Sequence, residues 1–269
     1  MGCSYSALEL CKREQNVFDN QDQNVFRLLD LSANEIQPFY DLFERFRCYI
    51  EMEDGISTFF SKICHVRAES IILKHFVEGI RSHLNFHEFL ILIWSFCILS
   101  ETQLASFTFD AFDKDKSNTL SLDEIKELVK FTFGGPNINR KVKFVVNEMK
   151  FNSAGEVSRD DFICCLDNCY AFLFHTLDMQ RKLKEAVFDL KIWNNLEHSA
   201  HEHLRNPEVQ ALIASVTSSS IYFSDFDSSK SDTLNEYELQ MQHKTALKRS
   251  TTSLSTIASC SEEESDTSN

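Results

Sequence analysis

Phe109-Asp-Ala-Phe112-Asp113-Lys-Asp115-Lys-Ser117-Asn118-Thr119-Leu120-Ser121-Leu-Asp-Glu124-Ile125 is the stretch that decides how the chain is read. Over the twelve residues from Asp113 to Glu124, oxygen donors fall at positions 1, 3, 5, 7, 9 and 12. Asp113, Asp115 and Ser117 offer side-chain oxygens, and Thr119 offers its backbone carbonyl. Ser121 can act through a water, and Glu124 supplies two oxygens from the first turn of the next helix. A hard cation needs about 6–8 oxygens, and calcium accepts them in flexible geometry, so the spacing predicts a calcium loop between two helices. Position 6 needs a positive φ and is filled by Asn118, the non-glycine residue that best tolerates it. Leu120 at position 8 is apolar and is expected to pair with a partner loop.

Working outward, the pattern is helical throughout. Ser32-Ala-Asn-Glu35 is a capping box, followed by Ile36, Phe39, Tyr40, Phe43 and Phe46 at helical spacing. Residues 57–66, 68–78, 86–99, 101–112, 122–133, 139–150 and 159–190 also read as helices, and Gly134-Gly135-Pro136 is a clear break. Phe89 to Leu99 is an apolar run of 11 residues, too short for a bilayer, which takes ~20. The expected fold is all-α, built of paired helix–loop–helix units.

These motifs resemble the EF-hand calcium-binding superfamily. Three further regions fit its pattern imperfectly. Residues 150–161 have Gly155 and Val157 in register, but Lys150 stands where the first carboxylate belongs and Ala154 offers no ligand. That loop is expected to bind no ion while Val157 pairs with Leu120. Residues 77–88 keep Leu84 and Glu88, and Gly55-Ile56-Ser57 follows a shortened loop; these two are expected to pair through Ile56 and Leu84 without an ion. A fifth loop, Asp227 to Glu238, offers Asp227, Ser229, Ser231, Thr233 and Glu238, with only two ligand carboxylates and thus weaker expected binding. Residues 32–168 are similar to the four-hand sensors: calcineurin B subunit, the plant calcineurin B-like proteins and the neuronal calcium sensors.

The expected organisation is an acylated arm (1–31), a degenerate pair (32–100), a pair with one intact loop (101–168), a helical extension (169–217), a further hand (218–243) and a disordered Ser/Thr-rich acidic tail (244–269). Met1-Gly2-Cys3-Ser4-Tyr5-Ser6 matches a myristoylation signal at Gly2, with Cys3 available for palmitoylation. One acyl chain holds a membrane only marginally. The first 31 residues carry Lys12, Arg13 and Arg27 against five acidic residues, so the arm has no polybasic second signal.

Composition narrows the function. The net charge of −14 argues against a nucleic-acid partner. Six Gly among 269 residues form neither a dinucleotide fingerprint nor a P-loop, and no catalytic constellation is present, so no enzyme is expected. Nine Cys without C-x-x-C read as reduced thiols, with Cys165 and Cys169 in the core, and His198, His201 and His203 read as a solvated turn rather than a zinc site. The reading is a calcium sensor at the cytoplasmic face of a membrane, with a cytosolic fraction. Calcium would expose a Phe-rich groove for an amphipathic helix of a target such as a kinase, phosphatase or channel. Tyr170 to Trp193 is amphipathic and could cover the apolar groove of the second hand pair, or be an ordinary extra core helix. The alternative is a constitutive regulatory or scaffold subunit.

Overall fold

Local capping chemistry sets where the helices begin. In a computed structural model, the described residues are 18–49, 52, 54–81, 83–134, 138–193, 196 and 203–216. Asp19, Ser32, Asn85, Ser100 and Ser121 each stand at an N-cap whose third following residue returns the bond, closing five capping boxes. Each box satisfies two of the N–H groups that a helix leaves without partners. The helices are α1 (Asn20–Leu28), α2 (Ala33–Arg47), α3 (Gly55–Cys64), α4 (Ile71–Val77), α5 (Phe86–Cys97) and α6 (Glu101–Phe112). After strand β1 (Thr119–Leu120) come α7 (Leu122–Phe133), α8 (Ile138–Glu148), strand β2 (Val157–Ser158) and α9 (Arg159–Cys169). A 3₁₀ turn over Tyr170–Leu173 leads into α10 (Phe174–Val187), and α11 is Pro207–Val216.

The fold is all-α, and its two helix–loop–helix pairs repeat one packing scheme. In the first pair α2 packs on α5 and α3 on α4; in the second α6 packs on α9 and α7 on α8. The centre of the first pair is α5, where Phe86 and every residue from Phe89 to Cys97 are buried. A helix apolar on all sides belongs inside. It is enclosed by α1, α2, α10 and α11. Rings fill the space around it: Phe46 stacks on Phe89 at 5.2 Å, Phe59 meets Phe46 at 5.2 Å, and Phe76 meets Phe60 at 5.1 Å. This is the ring-rich core that 24 Phe residues predict.

Several details depart from the sequence reading. The arm assigned to residues 1–31 becomes helical at Asn20; α1 buries Val25 and Phe26 against α5. Ile56 lies in the first turn of α3, not in a strand opposite Leu84. The reason is local: Asp54 takes φ +55° and turns the chain straight into the helix at Gly55. A Cβ on Gly55 would sit 1.9 Å from the Tyr49 carbonyl oxygen, so only glycine permits this approach. Among the described residues the two-stranded sheet of β1 and β2 is the only one.

The helical run expected over 159–190 is broken by the 3₁₀ turn, so that α10 crosses onto α2, α3 and α5 of the first pair and α6 of the second, rather than covering the second pair as the sequence suggests. Gln180 of α10 is buried and donates to the carbonyls of Phe96 and Leu99 at 3.0 and 2.9 Å, pinning α10 to the end of α5 and the turn after it. Thr176 and Thr108 exchange a buried hydroxyl hydrogen bond at 2.7 Å. Trp193 is fully buried against Phe39 and Phe188 and donates its ring N–H to the Lys184 carbonyl at 2.8 Å.

Among the described residues no single helix is long and apolar enough to cross a membrane. α5 and α6 together carry the apolar length, but they meet at 108° and their apolar side chains are spent on the core. Cys165 and Cys169 are buried, as expected of core residues, and burial pushes the Cys64 thiol up to about 12.

Candidate metal centre

The site is built where α6 ends and α7 begins. Phe109 and Phe112 are fully buried at the last turn of α6 and fix the position of Asp113, its C-cap residue. From there the backbone reverses through two left-handed residues, Lys116 at φ +57° and Asn118 at φ +59°. The second is the position at which the sequence predicts a positive φ. Leu120 then pairs with Val157, and Thr119 with Ser158, in antiparallel register. Both Leu120 and Val157 are fully buried, so the two loops are clamped back to back, as their eighth positions predict.

This closure gathers charge. Carboxylate oxygens of Asp113, Asp115 and Glu124 all lie within 4.8 Å of one another. Asp113 and Glu124 are buried and Asp115 is exposed. Backbone N–H groups hold them in place. Ser117 and Asn118 donate to the two oxygens of Asp113 at 3.0 and 2.9 Å, and Ser117 donates to Asp115 at 3.1 Å. Glu124 accepts from the N–H of Lys114 at 2.9 Å on one oxygen and from Ser121 on the other, at 2.9 Å from its N–H and 2.7 Å from its hydroxyl. The Ser117 hydroxyl lies 3.1 Å from the Thr119 carbonyl oxygen and 3.4 Å from Asp113. All five residues of the predicted ligand set are therefore in one loop and in order.

Burial raises the Asp113 carboxyl above its ordinary range; the two N–H donors counter this, and the Glu124 charge adds to it. Asp115 is held below its ordinary range by its bonds from Ser117. A buried carboxylate beside two others is the electrostatic situation that a cation relieves. The donors are all hard oxygens, which suits a divalent cation of the calcium and magnesium class rather than a thiolate-seeking metal.

The neighbouring loop is organised differently. Asn152 occupies its centre, and its side-chain oxygen accepts from the N–H groups of Ala154 and Glu156 at 2.9 and 3.0 Å. Gly155 takes φ +80°. Lys150 is exposed. Glu156 accepts from the Thr119 hydroxyl at 3.0 Å, so one of its oxygens serves the other loop. Arg159, at the start of α9, ties this loop to α6: it pairs with Asp110, donates to the Ser106 hydroxyl at 2.9 Å and lies over the Phe109 ring at 4.6 Å.

A second cluster was not foreseen. Asp19, Asp22 and His87 bring potential ligand atoms within 4.8 Å of one another. Asp22 is buried; one oxygen lies 3.0 Å from His87 Nδ1, and the other accepts the N–H of Asp19 at 3.0 Å. One oxygen thus closes the capping box of α1, and the other fastens the start of α1 onto the start of α5. The only sequence signal was the capping pattern at Asp19 and Asp22, since His87 is 65 residues away.

Gly2, Cys3 and the loop with Asp227, Ser229, Ser231, Thr233 and Glu238 lie outside the described residues, as do His198, His201 and the tail. Compared with known proteins, the sequence matches no family model and no curated relative.

Proposed function

We propose that the chain is a calcium-binding regulatory protein of the EF-hand type, attached to the cytoplasmic face of a membrane by lipid at Gly2 and Cys3. One observation carries the metal reading: Asp113, Asp115 and Glu124 converge within 4.8 Å in a loop whose backbone already has the required left-handed turn. Calcium would be held by these carboxylates with Ser117 and the Thr119 carbonyl, and it would supply the positive charge they lack. Glu124 belongs to the first turn of α7, so a ligand drawn toward the loop moves that helix relative to α6. That coupling is the basis of a sensor role.

A second reading has an observation in its favour. α10 already covers α2, α3 and α5 of the first pair and α6 of the second, and Gln180 and Thr176 fix it with buried hydrogen bonds. A chain whose groove is filled by its own helix suits a constitutive scaffold subunit. Binding of a hydrophobic dye separates the two. Dye fluorescence that rises on adding calcium to the full chain supports the sensor; calcium binding without a rise supports the scaffold.

A further inference from the structure

The chain carries a net charge of −14, yet residues 130–150 hold Lys130, Arg140, Lys141, Lys143 and Lys150 against Glu148 alone. The structure concentrates this local excess. α8 turns Val145 and Met149 inward, while Arg140, Lys143, Phe144 and Asn147, spaced three and four apart, share its outer face. Phe144 is 57% exposed, second among the described phenylalanines to Phe174 of α10 at 61%, in a chain that buries most of its rings. Phe133, at the end of α7, is 37% exposed. The Lys141 ammonium lies 5.1 Å over the Phe133 ring and donates to the Phe133 carbonyl at 3.4 Å, which joins the end of α7 and the first turn of α8 into one surface. Among the described residues Lys130, Arg140, Lys141 and Lys143 are matched to no carboxylate; Arg45, Lys62, Arg67 and Lys74 are also without one.

We infer that the outer face of α8, with Lys130 and Phe133 of α7, docks on an anionic lipid surface. Cations attract the negative leaflet while exposed rings enter the interface between headgroups and acyl chains. An acidic protein segment would satisfy the cations but would leave the bare Phe144 ring in water. The surface would add the electrostatic contact that the acylated arm does not provide, because residues 1–31 contain no basic cluster. The inference rests on the membrane reading above, but it places a contact in the folded chain that does not require acylation or metal.

Vesicle sedimentation of the unacylated full-length chain, in the presence of a calcium chelator, tests it. The probes are vesicles of phosphatidylcholine alone and of phosphatidylcholine with phosphatidylserine. Binding is expected only to the anionic vesicles and is expected to weaken with salt. Lys143→Glu changes two charge units and should weaken binding about thirtyfold, at about fivefold per charge. Phe144→Ala should weaken it about tenfold through lost apolar contact. Lys62→Glu, in the first helix pair, should have a much smaller effect. Both test positions are on the solvent face, and unchanged circular dichroism confirms folding. Equal binding to neutral vesicles, or Lys143→Glu and Phe144→Ala binding as the unaltered chain does, overturns the inference. So does capture by a poly-glutamate peptide without vesicle binding, which would assign the face to an acidic protein. Absence of myristate label on the unaltered chain expressed in cells would overturn the acylation reading and leave this one standing.

Discussion

Residues 113–124 and 150–161 share a frame and differ in chemistry. Each connects two helices, each turns through a left-handed residue (Asn118 or Gly155), and each contributes one strand to the same small sheet. In the first, the backbone N–H groups are gathered onto Asp113, Asp115 and Glu124, so closing the loop concentrates negative charge. In the second, the same task falls to the neutral Asn152, and Lys150 stands in solvent. The comparison separates folding from binding. The clamp of Leu120 on Val157 and the left-handed turn serve both loops; the carboxylates serve one.

The comparison is broken most severely at the clamp. Leu120→Asp puts a charge into a fully buried position and should cost about 4 kcal/mol or more, by the penalty for burying an unpaired charge. Urea denaturation should show the loss, and amide exchange should rise at Gly155 as well as at Asn118, because the loops share the strand pair. Protection retained at Gly155 would mean the second loop folds independently.

A smaller effect sharpens it from the other side. Lys150→Asp and Ala154→Asp give the second loop carboxylates where it now lacks them, and Asp161→Glu lengthens the one it has at its last position. One additional equivalent of calcium should bind. At calcium a hundredfold above the new dissociation constant the gain in stability is about 2.7 kcal/mol. If calorimetry shows no added equivalent, side chains alone do not explain the difference between the loops.

The smallest effect is at Asn118, whose φ of +59° glycine adopts without cost. Asn118→Gly should tighten calcium about threefold, corresponding to a gain below ~1 kcal/mol, reduced by losing the 3.4 Å contact with Arg159. Weaker binding in that variant would assign the Arg159 contact the larger share.

What was legible in the sequence follows from where its signals lie. α6 and α7 begin and end where expected, at 101–112 and 122–133, because Ser100, Ser121 and Gly134 mark their limits locally. The ligand order from Asp113 to Glu124 is equally local. The pairing of Leu120 with Val157 was readable because both sit at the same loop position. Three features were not readable. α1 has few apolar residues, and its burial depends on α5, more than 50 residues further along. The turn at Tyr170–Leu173 contains neither Gly nor Pro, so the break between α9 and α10 leaves no mark in composition. The basic face of α8 is diluted in the acidic whole, and only the helix geometry collects Arg140, Lys143 and Phe144 on one side.

The central claim is that Asp113 to Glu124 holds calcium and that Glu124 is its decisive ligand. Isothermal titration of the full chain and of Glu124→Gln addresses it directly. Gln keeps an oxygen to accept the capping bonds from Ser121 but removes the bidentate carboxylate. The unaltered chain should bind with a dissociation constant on the order of 10⁻⁷–10⁻⁵ M, and the variant about a hundredfold more weakly. Identical calcium heats in the two proteins, or none in either, would contradict the account.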